Sequence, residues 1–87
     1  MKIKAVLIED KVKEKVLDKH SVEAEEIREV LLGRLVVLKS KEERYVAFGT
    51  SKRYLTVVFT YREGVANIIT AYPSSEAQVR LSKKKRI

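Results

Sequence analysis

The chain has no cysteine, which excludes a disulfide framework and any thiolate metal site. A single histidine, His20, excludes a multi-histidine metal cluster, so neither a metal nor another cofactor is expected. No apolar run approaches the ~18 residues that a bilayer-spanning helix requires. The opening KIKAVLIEDK meets acidic residues too soon to serve as a secretory signal. These absences imply a cytoplasmic protein with no membrane partner. Tryptophan is missing, proline occurs once, and Asn67 and Gln78 are the sole side-chain amides against abundant Lys and Glu. That last balance is the compositional lean of a thermophile. A glycine-rich phosphate loop, a recognisable pair of catalytic carboxylates and a Ser/His/Asp arrangement are also lacking.

What is present in excess is positive charge. With 87 residues the chain makes one domain, and a formal charge of +7 favours a polyanion such as RNA, because surplus cations displace counterions from phosphate. Lysine also simply keeps small proteins soluble, and that reading stays open. Four of the cations lie in Lys83-Lys84-Lys85-Arg86, and setting them aside lowers the charge from +7 to +3. The expected organisation is a single domain over 1–82 followed by a basic tail over 83–87.

Periodicity divides the domain. Lys2 to Ile8 reads as an opening strand, with Ile3, Ala5 and Leu7 sharing one face. Val12, Val16 and Leu17 then recur at helical spacing, predicting a helix over 10–19 with Asp10 as N-cap. Ala24, Ile27, Val30 and Leu31 form the apolar stripe of a second helix over 23–32. Gly33 should stop it in a left-handed conformation. From there the period changes to 2: RLVVLK, RYVAFGT, YLTVVFTY and VANIITAY are β-prone runs separated by SKEE, SKR and REG. Pro73 ends the last run, and Ser74 or Ser75 would cap a short final helix carrying Ala77, Val79 and Leu81. The prediction is an α+β fold with two N-terminal helices packed on a four-stranded antiparallel sheet over 34–72, and a possible extra N-terminal strand.

Particular segments carry a resemblance. Lys19-His20-Ser21-Val22, the Glu25-Glu26 helix, Glu43-Arg44-Tyr45-Val46-Ala47-Phe48-Gly49, Leu55-Thr56-Val57-Val58-Phe59-Thr60 and Ile68-Ile69-Thr70-Ala71 occur in the order found in the BrnT family. Those proteins are ribonuclease toxins of type II toxin–antitoxin pairs with a RelE-like fold, and the similarity covers residues 9 to 80. The resemblance implies a neutralising antitoxin encoded nearby. Two family arginines are replaced here, by Asn67 and by Tyr72. The ending Thr-Ala-Tyr-Pro is more similar to another branch of the barnase–EndoU–RelE group. There a helix histidine, a strand cation and a final-strand Thr or Tyr form the site, a pattern matched by His20, Arg44, Thr70 and Tyr72.

The chemistry of those side chains suits RNA cleavage without metal. Attack by a ribose 2′-hydroxyl needs a base, an acid for the leaving 5′-oxygen and stabilisation of a highly charged transition state. Imidazole, with a free pKa near ~6.5, is the one side-chain type here fitted to proton transfer at neutral pH. His20 could equally serve the last carbonyls of its helix. Arg44 could hold a phosphate bidentately, or pair with Glu42 or Glu43. Alternation along the strand puts Thr70 and Tyr72 on one face, where both can donate to a phosphate and Tyr72 can stack on a base; both are also ordinary strand residues. Lys19, Arg62, Lys83, Lys84 and Lys85 are candidate RNA contacts. The competing functions are a non-catalytic RNA-binding module and an interaction domain, whose free sheet edge would also permit a homodimer.

Overall fold

The structure, a computed structural model, describes residues 1–85. Its elements are β1 (Ala5–Leu7), α1 (Asp10–His20), α2 (Ala24–Leu32), β2 (Leu35–Lys39), β3 (Arg44–Thr50), β4 (Tyr54–Arg62), β5 (Val65–Pro73) and α3 (Glu76–Lys85). The strands form one sheet in the order β1-β5-β4-β3-β2. The four strands from β2 to β5 are the expected antiparallel meander, while β1 lies parallel to β5 and adds a fifth strand.

Alternation assigns the two faces. Leu55, Val57 and Phe59 of β4 join Ala47, Ala66, Ile68 and Ala71 in a core with Val16, Val22, Ile27, Val30 and Leu31 from the helical segment. Each of these larger apolar side chains contributes about 1.5–3 kcal/mol by leaving water. Tyr45 and Phe59 stack within this layer, ring centroids 5.8 Å apart. The opposite face carries Phe48, Thr56 and Tyr72 in one cross-strand row, and α3 packs over it.

Several local expectations are corrected. Glu9, with φ −66° and ψ 149°, is the N-cap of α1, and Asp10 is its first helical residue. In β1, Val6 turns inward and packs on the core, whereas Ala5 and Leu7 are exposed. Val6 pairs with buried Ala66, so the register to β5 sets its face, not the alternation of Ile3, Ala5 and Leu7. Gly33 is extended, at φ −101° and ψ −153°. Glycine is needed there for space, since a Cβ would sit 2.8 Å from the Glu29 carbonyl oxygen. The left-handed turn falls instead at Ser21, φ 53°, whose N–H donates to the Leu17 carbonyl.

Within the basic run, Lys83 to Lys85 form the last turn of α3. Ser75 and Gln78 make a capping box that starts this helix: the Ser75 N–H donates to Gln78 Oε1 at 2.9 Å, and the Gln78 N–H to Ser75 Oγ at 3.2 Å. Ser82, in the last turns of this helix, is buried, and its Oγ has no hydrogen-bond partner among the described residues. The Lys85 side chain and residues 86–87 lie outside the described residues.

Candidate active site at the free end of the last strand

β1 pairs with β5 only at Val65, Ala66 and Asn67. Beyond that point β5 has no outer neighbour among the described residues, and α1 runs past this bare edge. Its last residue, His20, is half-buried and places its ring 5.9 Å from that of Tyr72, tilted by 54°. The histidine approaches from the helical layer and the tyrosine stands on the other face, so they meet around the strand edge.

Tyr72 is held from behind. Thr56, its cross-strand partner, is fully buried, shares a 2.8 Å hydrogen bond with Ser74 Oγ and donates to Gln78 Oε1 at 3.0 Å. Gln78 Nε2 in turn donates to the Tyr72 phenol oxygen at 3.4 Å. With its oxygen accepting, the phenol has one proton left to give, and it is free to give it outward.

Thr70 pairs with Val58, one row beyond Tyr72 on the same face. An irregularity between Val58 and Phe59 makes Ile69 the extra residue of a bulge, so the alternation that shows Thr70 and Tyr72 holds only beyond it. Arg44 shares this face through its pairing with Thr60, but it is two strands and four ladder steps from Tyr72. Strand spacings put their backbones roughly 17 Å apart, so Arg44 would meet a different phosphate from the one at His20. It is exposed, and among the described residues no ion pair ties it to Glu42 or Glu43. Arg62 is farther still, six steps down β4 from Thr56, or roughly 20 Å. Lys19 is exposed beside His20, and Lys83 Nζ lies 6.0 Å over the Tyr54 ring. The structure therefore brings His20, Thr70 and Tyr72 to one corner and leaves Arg44 and Arg62 on the outlying sheet.

A family model described as the ribonuclease toxin BrnT of type II toxin–antitoxin systems matches residues 9–77, most of the chain. The chain belongs to the BrnT family. Its fold is shared with the 1.1 Å crystal structure of the Brucella abortus ribonuclease toxin BrnT, at a TM-score of 0.71 and 18% identity, over 83% of this chain and 97% of that one. At that identity the likeness establishes the fold alone. No curated protein matches the chain. Membership of the BrnT family makes this a ribonuclease toxin whose counterpart is an antitoxin protein.

Three residues in and around the corner carry no signal in the sequence. Thr56 and Gln78 looked like a strand threonine and a helix amide, and only the fold brings them together. Arg53 fell in the SKR spacer, yet its guanidinium spans two elements: Nη2 donates to the Ser21 carbonyl at 2.6 Å and Nε to Glu26 Oε2 at 3.1 Å. Burial alone would raise the Glu26 carboxyl. The hydrogen bonds from Arg53 and the Glu23 backbone, with the charges of Arg53 and Lys52, outweigh it and hold the group below its ordinary value. The Asp, Glu and His residues within the described part of the chain form no cluster able to hold a metal ion. No helix among them is long and apolar enough to cross a membrane.

Proposed function

We propose that this BrnT-family toxin cleaves RNA by attack of a ribose 2′-hydroxyl on the adjacent phosphorus, with His20, Thr70 and Tyr72 as the reacting corner. The 5.9 Å approach of the His20 and Tyr72 rings carries this reading, because it supports a proton acceptor and a hydroxyl donor acting on one phosphate. The imidazole takes the 2′-hydroxyl proton as the new P–O bond forms. Tyr72, its oxygen already accepting from Gln78, gives its proton to the departing 5′-oxygen as that P–O bond breaks. The products are a 2′,3′-cyclic phosphate and a 5′-hydroxyl. Thr70 donates to a non-bridging oxygen, and Arg44, Arg62, Lys19, Lys83 and Lys84 hold neighbouring phosphates. Every step uses side-chain protons, so cleavage proceeds without a divalent metal. An acidic antitoxin would neutralise the toxin by covering these groups.

The test is cleavage of RNA by the purified protein, with and without EDTA, beside His20→Ala. EDTA should leave the rate unchanged, while His20→Ala should lower kcat by about 10²- to 10⁴-fold and change RNA affinity little. Binding without cleavage of any RNA, ribosome-bound message included, would establish a non-catalytic module instead. Full activity in His20→Ala would refute the proposed chemistry.

A further inference from the structure

Arg53 stands at the tip of the β3–β4 hairpin, outside the reacting corner, yet its contacts converge on the residue that follows His20. Ser21 is in the left-handed region, a conformation that costs a non-glycine residue energy and so requires support. That support is visible. The Ser21 carbonyl accepts from Arg53 Nη2 at 2.6 Å, and the same guanidinium reaches both oxygens of Glu26, at 3.1 and 3.3 Å. Glu26 Oε1 also accepts the Glu23 N–H at 3.2 Å, at the start of α2. One hairpin side chain thus ties the end of α1, the turn and the first turn of α2. Next to it, Ser51 Oγ donates to Glu29 Oε2, a second tie from the same hairpin to α2.

From this geometry we infer that Arg53 is the positioning residue for His20, holding the α1–α2 turn so that the imidazole stays against Tyr72. The inference rests on the proposed role of His20. The Glu26 side chain is 12% exposed and that of Arg53 39%, so the ion pair is partly shielded from water and keeps more of its directional strength than a fully exposed pair. Lysine does not reproduce this arrangement, because its ammonium is one point donor, whereas the rigid guanidinium reaches the carboxylate from Nε and the carbonyl from Nη2. Without the clasp, no other hairpin side chain among the described residues bonds to the Ser21 carbonyl. The turn is then left with its backbone bonds from Ser21 to Leu17 and from Val22 to Val16, and the side-chain restraint on the residue that follows His20 is lost.

The chain has one histidine, so its ring protons give isolated NMR signals and a readout independent of activity. The experiment measures the nuclear Overhauser effect between the His20 and Tyr72 rings, together with kcat and KM for RNA, in wild type, Arg53→Ala and Arg53→Lys. Arg53→Ala should abolish the ring-to-ring signal and lower kcat by about 10- to 100-fold, the scale expected for misplacing a reacting group. KM should stay within about threefold. Arg53→Lys should recover thermal stability without recovering the ring-to-ring signal or kcat. If Arg53→Ala does not fold, Glu26→Gln weakens the same clasp and should give the same pattern at reduced size. A folded variant with the ring-to-ring signal intact overturns the assignment, whether or not kcat falls; a lower kcat would then mean that Arg53 acts on RNA itself. Undiminished cleavage by His20→Ala would sink the role of His20 and leave the structural half of the inference to be judged by the ring-to-ring signal alone.

Discussion

Thr56→Val removes one hydroxyl from a fully buried position and keeps the branched shape that fits the strand. The deleted oxygen shares a hydrogen bond with Ser74 at 2.8 Å and donates to Gln78 at 3.0 Å. Gln78 Oε1 still accepts the Ser75 N–H at 2.9 Å, and Ser74 is half-buried and can turn to water. Neither partner is stranded, so the cost is that of two net hydrogen bonds, about 1–2 kcal/mol, rather than a full desolvation penalty. For a domain of this size that lowers Tm by roughly 4–16 °C. Urea unfolding, followed by far-UV circular dichroism and tyrosine fluorescence, should show an earlier midpoint with an unchanged m-value. A double-mutant cycle with Gln78→Ala should give a coupling of at least ~0.5 kcal/mol. A cost below ~0.3 kcal/mol, or additive effects, would refute the claim that this polar row holds α3 and Tyr72 in place.

Two further outcomes follow from the charges. The Glu26 carboxyl lies below its ordinary value of 4.5 in the folded state, so its contribution is fully present above that pH and is lost as pH falls through the lower folded value. The stability difference between wild type and Glu26→Gln should therefore shrink in urea titrations below about pH 4.5; a difference that stays constant with pH would count against the clasp. For RNA binding, Lys83→Ala with Lys84→Ala should reduce the slope of log K against log salt by about 0.7 for each phosphate no longer neutralised, while leaving kcat nearly unchanged. An unaltered slope would remove these lysines from the interface.

The meander was legible because β2 to β5 are dense in β-branched and aromatic residues and their turns carry charge or glycine. At Glu63-Gly64, positive φ values of 49° and 84° close the β4–β5 hairpin within the REG spacer. The face shared by Thr70 and Tyr72 followed from the same period. Short-range signals failed where the decision was tertiary. Gly33 looked like a left-handed stop, but the crowding that selects glycine comes from the Glu29 carbonyl, and the left-handed residue is a serine. The polar composition of the lysine run at 83–85 carries no helical signal, whereas the capping box at Ser75 and Gln78 starts the helix that includes it. Arg53 had no signal at all. Its partners are 27 and 32 residues away in sequence, and no local pattern reports them.

The two positions where the resemblance implies arginine bear on how the proposed site would divide its work. Tyr72 occupies one of them, and Asn67 the other, paired with Thr60 next to Arg44 on the open face. A guanidinium at 72 would stand beside His20 and stabilise charge on the reacting phosphate directly. A tyrosine held by Gln78 would supply a hydrogen bond and a proton there instead, and much of the charge neutralisation would fall to groups farther off. Arg44 is next to Asn67 in the ladder sense, two strands away, and its guanidinium forms no ion pair among the described residues. In the proposed mechanism charge and proton transfer would thus be separated along the sheet, with Arg44 and Arg62 roughly 17 Å or more from the corner and the proton-handling pair at the strand end. Such a division makes activity depend on an RNA long enough to span both regions. In the proposed site the ring geometry at His20 would also matter more than where an arginine sits on the reacting phosphate and compensates for a misplaced imidazole.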